Sequence, residues 1–241
     1  FGSWYWIGEN RREIWRAAAG TRRAHLYWQS SSSTPPTQGG FQLDHLQPAP
    51  ATLAGLAVTT HHYLLVGSVE PAGLFIFDLH SGGEPLLLSF PAGFAPFDLT
   101  TTQDGGTWIL DRDHRELWRI DRYFRLCSLT PPGPPAAVQP PAAGFLPEVP
   151  AGEKVTSRLP PVQGLPLMAG DPISIESLPD GSLLILDGPA GADASSRLHH
   201  YRIGADGVPF LSSTRELPTL PGAESGLPPR PVVGHDLAYL P

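Results

Sequence analysis

Apolar residues in this chain come in runs of five or six, separated by short polar turns, and the runs repeat. Thr107-Trp108-Ile109-Leu110-Asp111 and Leu183-Leu184-Ile185-Leu186-Asp187 share a length and a closing carboxylate. Each follows an Asp-Gly turn, Asp104-Gly105-Gly106 or Asp180-Gly181, and upstream of those turns stand Pro96-Phe97-Asp98-Leu99 and Pro172-Ile173-Ser174-Ile175. Runs this short, bounded by Gly and Asp, predict β-strands joined by tight turns. The repeating unit is strand, Asp-Gly turn, strand, polar turn, strand, then a fourth apolar stretch.

A second match sets the frame. Trp6-Ile7 followed by Arg12-Glu13-Ile14-Trp15-Arg16 matches Trp108-Ile109 followed by Arg115-Glu116-Leu117-Trp118-Arg119, with a gap one residue longer in the second copy. Ile14, Leu74, Leu117 and Leu198 then stand at equivalent points of the third strand, and Asp78 and Asp121 close two of those strands. The spacings are 60, 43 and 81 residues, and a base of 43 fits the ~40–50 residues of a four-stranded propeller blade.

The predicted fold is therefore all-β: a β-propeller of four-stranded antiparallel blades, with about four blades visible. They fall at residues 4–28 (lacking a first strand), 54–91, 95–129 and 171–217, in a single propeller domain or partial propeller over 1–241. Pro-rich insertions at 29–50 and 130–170 account for the longer spacings. The second could instead hold another blade, but its prolines interrupt strand ladders. Residues 234–240 align with Ala95–Thr101 as a lone first strand. They could pair beside Trp4–Ile7 and close a four-bladed ring, or more blades could follow.

Composition narrows the function. Charged residues are 16% of the 241 and the net charge is −7, whereas binding a phosphate backbone needs clustered cations, so nucleic acid is a poor partner. No run of about 18 apolar residues exists to span a membrane. Cys127 stands alone, so an internal disulfide is impossible and the compartment stays open. Phe1 opens the chain with no signal-like region before it, which reads as a processed chain or a segment of something longer.

The run Asp98-Leu-Thr-Thr-Thr-Gln-Asp-Gly-Gly-Thr-Trp-Ile-Leu-Asp-Arg-Asp-His-Arg-Glu-Leu-Trp-Arg-Ile-Asp121 resembles an NHL-type propeller blade. The order of this blade, a Pro-rich insertion, Gly170-Asp171-Pro172-Ile173-Ser174-Ile175-Glu176-Ser177-Leu178-Pro179-Asp180-Gly181-Ser182 and finally His235-Asp236-Leu237-Ala238 resembles the propeller region of bacterial phage-tail-like proteins of contractile injection particles. That resemblance covers most of residues 55–241. It implies a structural or surface-recognition role with other protein subunits as partners, further sequence after the last motif, and no catalytic residues to carry over.

Candidate chemistry is sparse. Asp111 and Asp187 end second strands and Asp78 and Asp121 third strands, where a carboxylate caps a turn. Asp98 and Asp236 occupy the channel-lining first strand, where Ala57 and Ser174 stand in other copies. Together they could hold a metal such as Ca²⁺, which takes oxygen ligands, or Asp98 could bond to the neighbouring blade's backbone. The metal reading underlies the alternative function, a metal-dependent sugar-lactone hydrolase of the propeller class, although only Asn10 offers an amide ligand. The pairs His61-His62 and His199-His200 point their rings to opposite strand faces and so cannot chelate one ion. Ser174, Asp98 and His235 make a triad on paper, without a Gly-x-Ser-x-Gly elbow. Trp6, Trp15, Trp108 and Trp118, read as recurring in register, fill gaps between blades or, alternatively, form the stacking platform of a carbohydrate-binding lectin.

Overall fold

A computed structural model describes residues 2–30, 50–127, 129, 164–167, 170–189 and 194–217. Regular structure among them is entirely β, in four antiparallel sheets that each follow chain order. The first sheet has three strands, β1 (Ser3–Ile7), β2 (Glu13–Ala18) and β3 (Ala24–Gln29). The second has β4 (Thr52–Val58), β5 (Tyr63–Glu70), β6 (Gly73–Asp78) and β7 (Leu86–Ser89). The third has β8 (Pro96–Thr101), β9 (Thr107–Asp111), β10 (Glu116–Ile120) and β11 (Leu165–Pro166), and the fourth β12 (Pro172–Ser177), β13 (Leu183–Asp187), β14 (Arg197–Ile203) and β15 (Pro209–Glu216).

Each sheet packs face to face on the next, which makes it a propeller blade. One apolar core, with Ile14, Leu53, Leu64 and Phe77, joins blades one and two; a second, with Leu65, Leu99, Ile109 and Trp118, joins two and three. A third, with Trp108, Leu117, Ile175 and Leu183, joins three and four. A blade covered on both sides needs apolar residues on both strand faces, and all five residues of β9 are buried. This is why the strands read as continuous apolar runs. The first strands line up side by side, β4 against β8 and β8 against β12. The first blade lacks such a strand among the described residues, as its sequence predicts.

Three sequence expectations need correcting. Trp6 pairs with Trp15 and Ile7 with Ile14, while Trp118 pairs with Ile109 and Leu117 with Leu110. Tyr5-Trp6-Ile7 is thus equivalent to Trp108-Ile109-Leu110 with no gap difference, and Trp6 and Trp108 face opposite sides of their blades. Ala57, opposite Leu65, corresponds to Thr100, opposite Trp108. The position of Asp98 is held by Gly55, whose φ is +69°; a Cβ there would come within 2.8 Å of the Asp98 Cα and the Phe97 oxygen. Bulges in β4, β8 and β12 displace this count.

The outer strand of blade three is also split. Leu126 bridges to Ile120, and the Cys127 amide donates to Arg119 O, whereas Leu165–Pro166 pair with Leu117 and Glu116. Residues 164–167 therefore belong to the blade, and the Pro-rich segment leaves from within its outermost strand. An edge strand can be interrupted this way because half of its backbone groups have no ladder partner to lose. Residues 31–49, 130–163 and 234–240 lie outside the described residues.

Candidate functional site

The axial strand β8 presents Asp98 to the next blade. Asp98 Oδ2 accepts hydrogen bonds from Ser174 Oγ at 2.8 Å and the Ile175 amide at 2.9 Å, and Oδ1 accepts from the Leu99 amide at 2.9 Å. Two residues on, Thr100 Oγ1 accepts from the Ser177 amide at 3.0 Å. The carboxylate thus bonds to the backbone of the neighbouring blade, and the Ser174 hydroxyl donates to an acid rather than to a histidine base. Asp236 and His235 lie outside the described residues. Ca²⁺ takes six to eight oxygens, and the described residues do not assemble such a shell: among them no three His, Cys, Asp or Glu side chains converge.

The strand-end carboxylates cap backbone. Asp111 takes the Ala95 amide at 3.1 Å and the His114 amide at 3.0 Å, so it ties its turn to the start of the first strand. Asp187 does the same with the Gly170 and Asp171 amides and adds buried His199, whose Nε2 is 3.3 Å away. At the other end, Asp78 takes the His80 and Ser81 amides, and Asp121 those of Tyr123 and Arg125. The His80 amide first, then the Ser81 hydroxyl, hold the Asp78 carboxyl below its ordinary pKa. Burial alone would raise Asp121, but bonds from the Arg125 amide and guanidinium outweigh it and the net direction is down.

His199 and His200 are neighbours on β14, whereas His61 and His62 lie in the turn between β4 and β5 rather than on a strand. His199 bonds Thr214 Oγ1 and Asp187, while His62 meets His80 edge to face at 4.8 Å.

The tryptophans divide into two environments. Trp108 and Trp118 are 1% and 5% exposed, and Trp118 meets both Phe90 and Phe94 edge to face at 5.7 Å. Trp4 and Trp6 are 72% and 39% exposed. They project from β1 on the side away from blade two, because Tyr5 and Ile7, one residue out of phase, pack into the core between blades one and two. Trp15, paired with Trp6, and Leu26, paired with Trp15, share that outward face. Trp4 was not among the residues singled out from sequence, although Trp-x-Trp in a strand already places two indoles on one side.

No protein-family model matches the chain. No curated protein matches it. Among solved structures it is similar to virginiamycin B lyase from Staphylococcus aureus, with 13% identity and a TM-score of 0.46 over 89% of this chain and 55% of that one. It is similar to a chain of a nidogen/laminin complex, with 12% identity and a TM-score of 0.49 over 90% and 65%. Regucalcin, a calcium-binding protein from Agrobacterium tumefaciens, gives 15% identity and a TM-score of 0.49 over 89% and 55%. The chain spans between about half and two thirds of the length of these structures. At such identities the likeness assigns the chain no activity, substrate or partner.

Proposed function

We propose that the chain is a non-enzymatic structural propeller module that recognises another protein subunit through a sheet face, as a component of a bacterial assembly of the phage-tail-like kind. One observation supports this. Trp4 and Trp6 are 72% and 39% exposed at positions whose equivalents, Leu64 and Val66, Thr107 and Ile109, and Leu183 and Ile185, are each 0% exposed. In the other three blades this face meets a neighbouring blade; in the first it meets solvent. Trp15 likewise stands where Trp118 is packed inside an inter-blade core.

A contiguous apolar face of this kind marks a contact surface, and Trp is enriched at such surfaces. The positions are the ones that carry the inter-blade contact elsewhere in the molecule, so the face fits the apolar face of a further propeller blade, which in this proposal another subunit supplies. Carbohydrate stacking would set the indoles on a rim, but these lie on the flat of a sheet. The sugar-lactone hydrolase reading needs Asp98 for a metal, and its Oδ2 already accepts two bonds from blade four.

The test is hydroxyl-radical footprinting of the free chain and of the protein in its assembly, isolated from the cells that make it. Trp4 and Trp6 are expected to be oxidised in the free chain and protected in the assembly. Equal oxidation in both, or a protein that elutes from native extract as a lone chain, overturns the proposal.

A further inference from the structure

A groove of about 560 Å³ runs between blades three and four, a different gap from the one that Trp4 faces. Two equivalent turns flank it. In one, the Gly105 amide donates to Thr102 O; in the other, the Gly181 amide donates to Leu178 O. Arg202 of β14 lines it, and Arg119 lies over the Trp108 ring at 5.1 Å.

The polar groups of the groove fall into committed and uncommitted sets. Asp104 Oδ1 accepts from the Gly106 amide and the Thr102 hydroxyl, and its Oδ2 takes Arg119 Nη2 at 2.8 Å. Asp180 Oδ1 accepts the Ser182 amide and hydroxyl, while Arg119 Nε is buried without an acceptor. Among the described residues, no hydrogen bond or ion pair engages the Arg202 guanidinium, the Gln103 amide or Asp180 Oδ2. The ligand that satisfies these groups carries an anion for Arg202, neutral donors for Asp180 and acceptors for the Gln103 amide. A compact polyanion such as phosphate would set its charge against two carboxylates whose ionised forms the Thr102 and Ser182 hydroxyls stabilise.

We infer that the groove between blades three and four binds an acidic saccharide, with a uronate carboxylate on Arg202 and ring hydroxyls donating to Asp180 and accepting from Gln103. A fork-to-carboxylate contact gives orientation, and the open, polar groove suits a polyhydroxylated chain. The inference does not depend on the docking proposal.

The test is amide NMR titration of the folded chain with digalacturonic acid, with lactose and sodium acetate as controls. Digalacturonate is expected to bind in about the millimolar range and to shift the amides of Asp104, Gly105, Asp180, Gly181 and Arg202. R202A is expected to weaken it about tenfold or more, the loss of a charge-assisted bond, with the melting temperature unchanged. Absence of binding, shifts confined to another part of the chain, equal affinity for acetate, or an R202A protein that binds as the parent does would each overturn the inference.

Discussion

Asp98 reaches across the gap between blades three and four to Ser174, with Oδ2 2.8 Å from the hydroxyl and 2.9 Å from the following amide. The contact joins the axial strands of blades three and four, β8 and β12. Removing a half-buried carboxylate that accepts bonds from a buried neighbour costs about 2 kcal/mol. Asp98→Ala is therefore expected to lower the urea midpoint, and Asp98→Asn, which keeps an acceptor oxygen, to lower it less. Equal losses in the two variants would show that charge rather than hydrogen bonding matters here.

The metal reading of Asp98 and Asp236 is open to a direct test. With Oδ2 engaged by blade four, addition of EDTA is expected to leave the melting temperature of the chain unchanged. A clear drop, restored by Ca²⁺, would mean that Asp98 and Asp236 hold a cation and would revive the hydrolase alternative.

Trp118 and Trp15 occupy the same register position, but only Trp118 is covered by a blade. Truncating a fully packed indole costs about 3–5 kcal/mol, so Trp118→Ala is expected to be severely destabilising. Trp15→Ala in the isolated chain is expected to cost about 1 kcal/mol or less, as for other solvent-facing changes. Chemical denaturation of both variants measures the difference. If the two losses match, Trp15 is packed and the open face of blade one does not exist in solution.

Much of this architecture is legible where Asp-Gly turns and closing carboxylates mark the strands. Pro96–Asp111 and Pro172–Asp187 superimpose in pairing, bulge included, because both carry the same punctuation. The rest is hidden where punctuation is missing or the chain is irregular. Trp6 and Trp108 are identical residues one step apart in register, and a strand's period of two turns that single step into a change of face. Leu165–Pro166 is too short to show any alternation, and its partner strand lies far back in the chain. The groove beside Arg202 left no trace at all, since its walls come from turns about 80 residues apart that only blade stacking brings together.

Stability should depend on pH in two opposed ways. The hydrogen bond from His114 to Asp111, and then the attraction of the Asp111 charge, raise the His114 pKa above its ordinary value of 6.5. A raised pKa means that the folded chain holds the proton more tightly, so this contribution is complete below the ordinary value and is lost as pH rises through the folded one. Because His114 is half exposed, the effect is small. Asp104, held down first by the Thr102 hydroxyl, works the other way: its contribution is complete above the ordinary carboxylate range and lost as pH falls through the folded pKa. His114→Ala is expected to flatten the decline in melting temperature above neutrality and to leave the acid limb intact. An unchanged alkaline limb would show that another group titrates there.

His62 occupies the place in blade two that Gly105 and Gly181 occupy in blades three and four. Its amide donates to Thr59 O as theirs donate to Thr102 O and Leu178 O, and its φ is 61° against their 84° and 82°. A left-handed backbone costs an L-residue about 1–2 kcal/mol, while Gly gives back part of this through the freer unfolded chain. The two effects separate cleanly only when Gly is compared with Ala at the same site, since both variants lose the ring contact with His80 equally. His62→Gly is therefore expected to be more stable than His62→Ala by about 1 kcal/mol, read as the difference between their denaturation midpoints. If Ala equals or exceeds Gly, the turn relaxes out of the left-handed region, and blade two is not built on the turn its neighbours share.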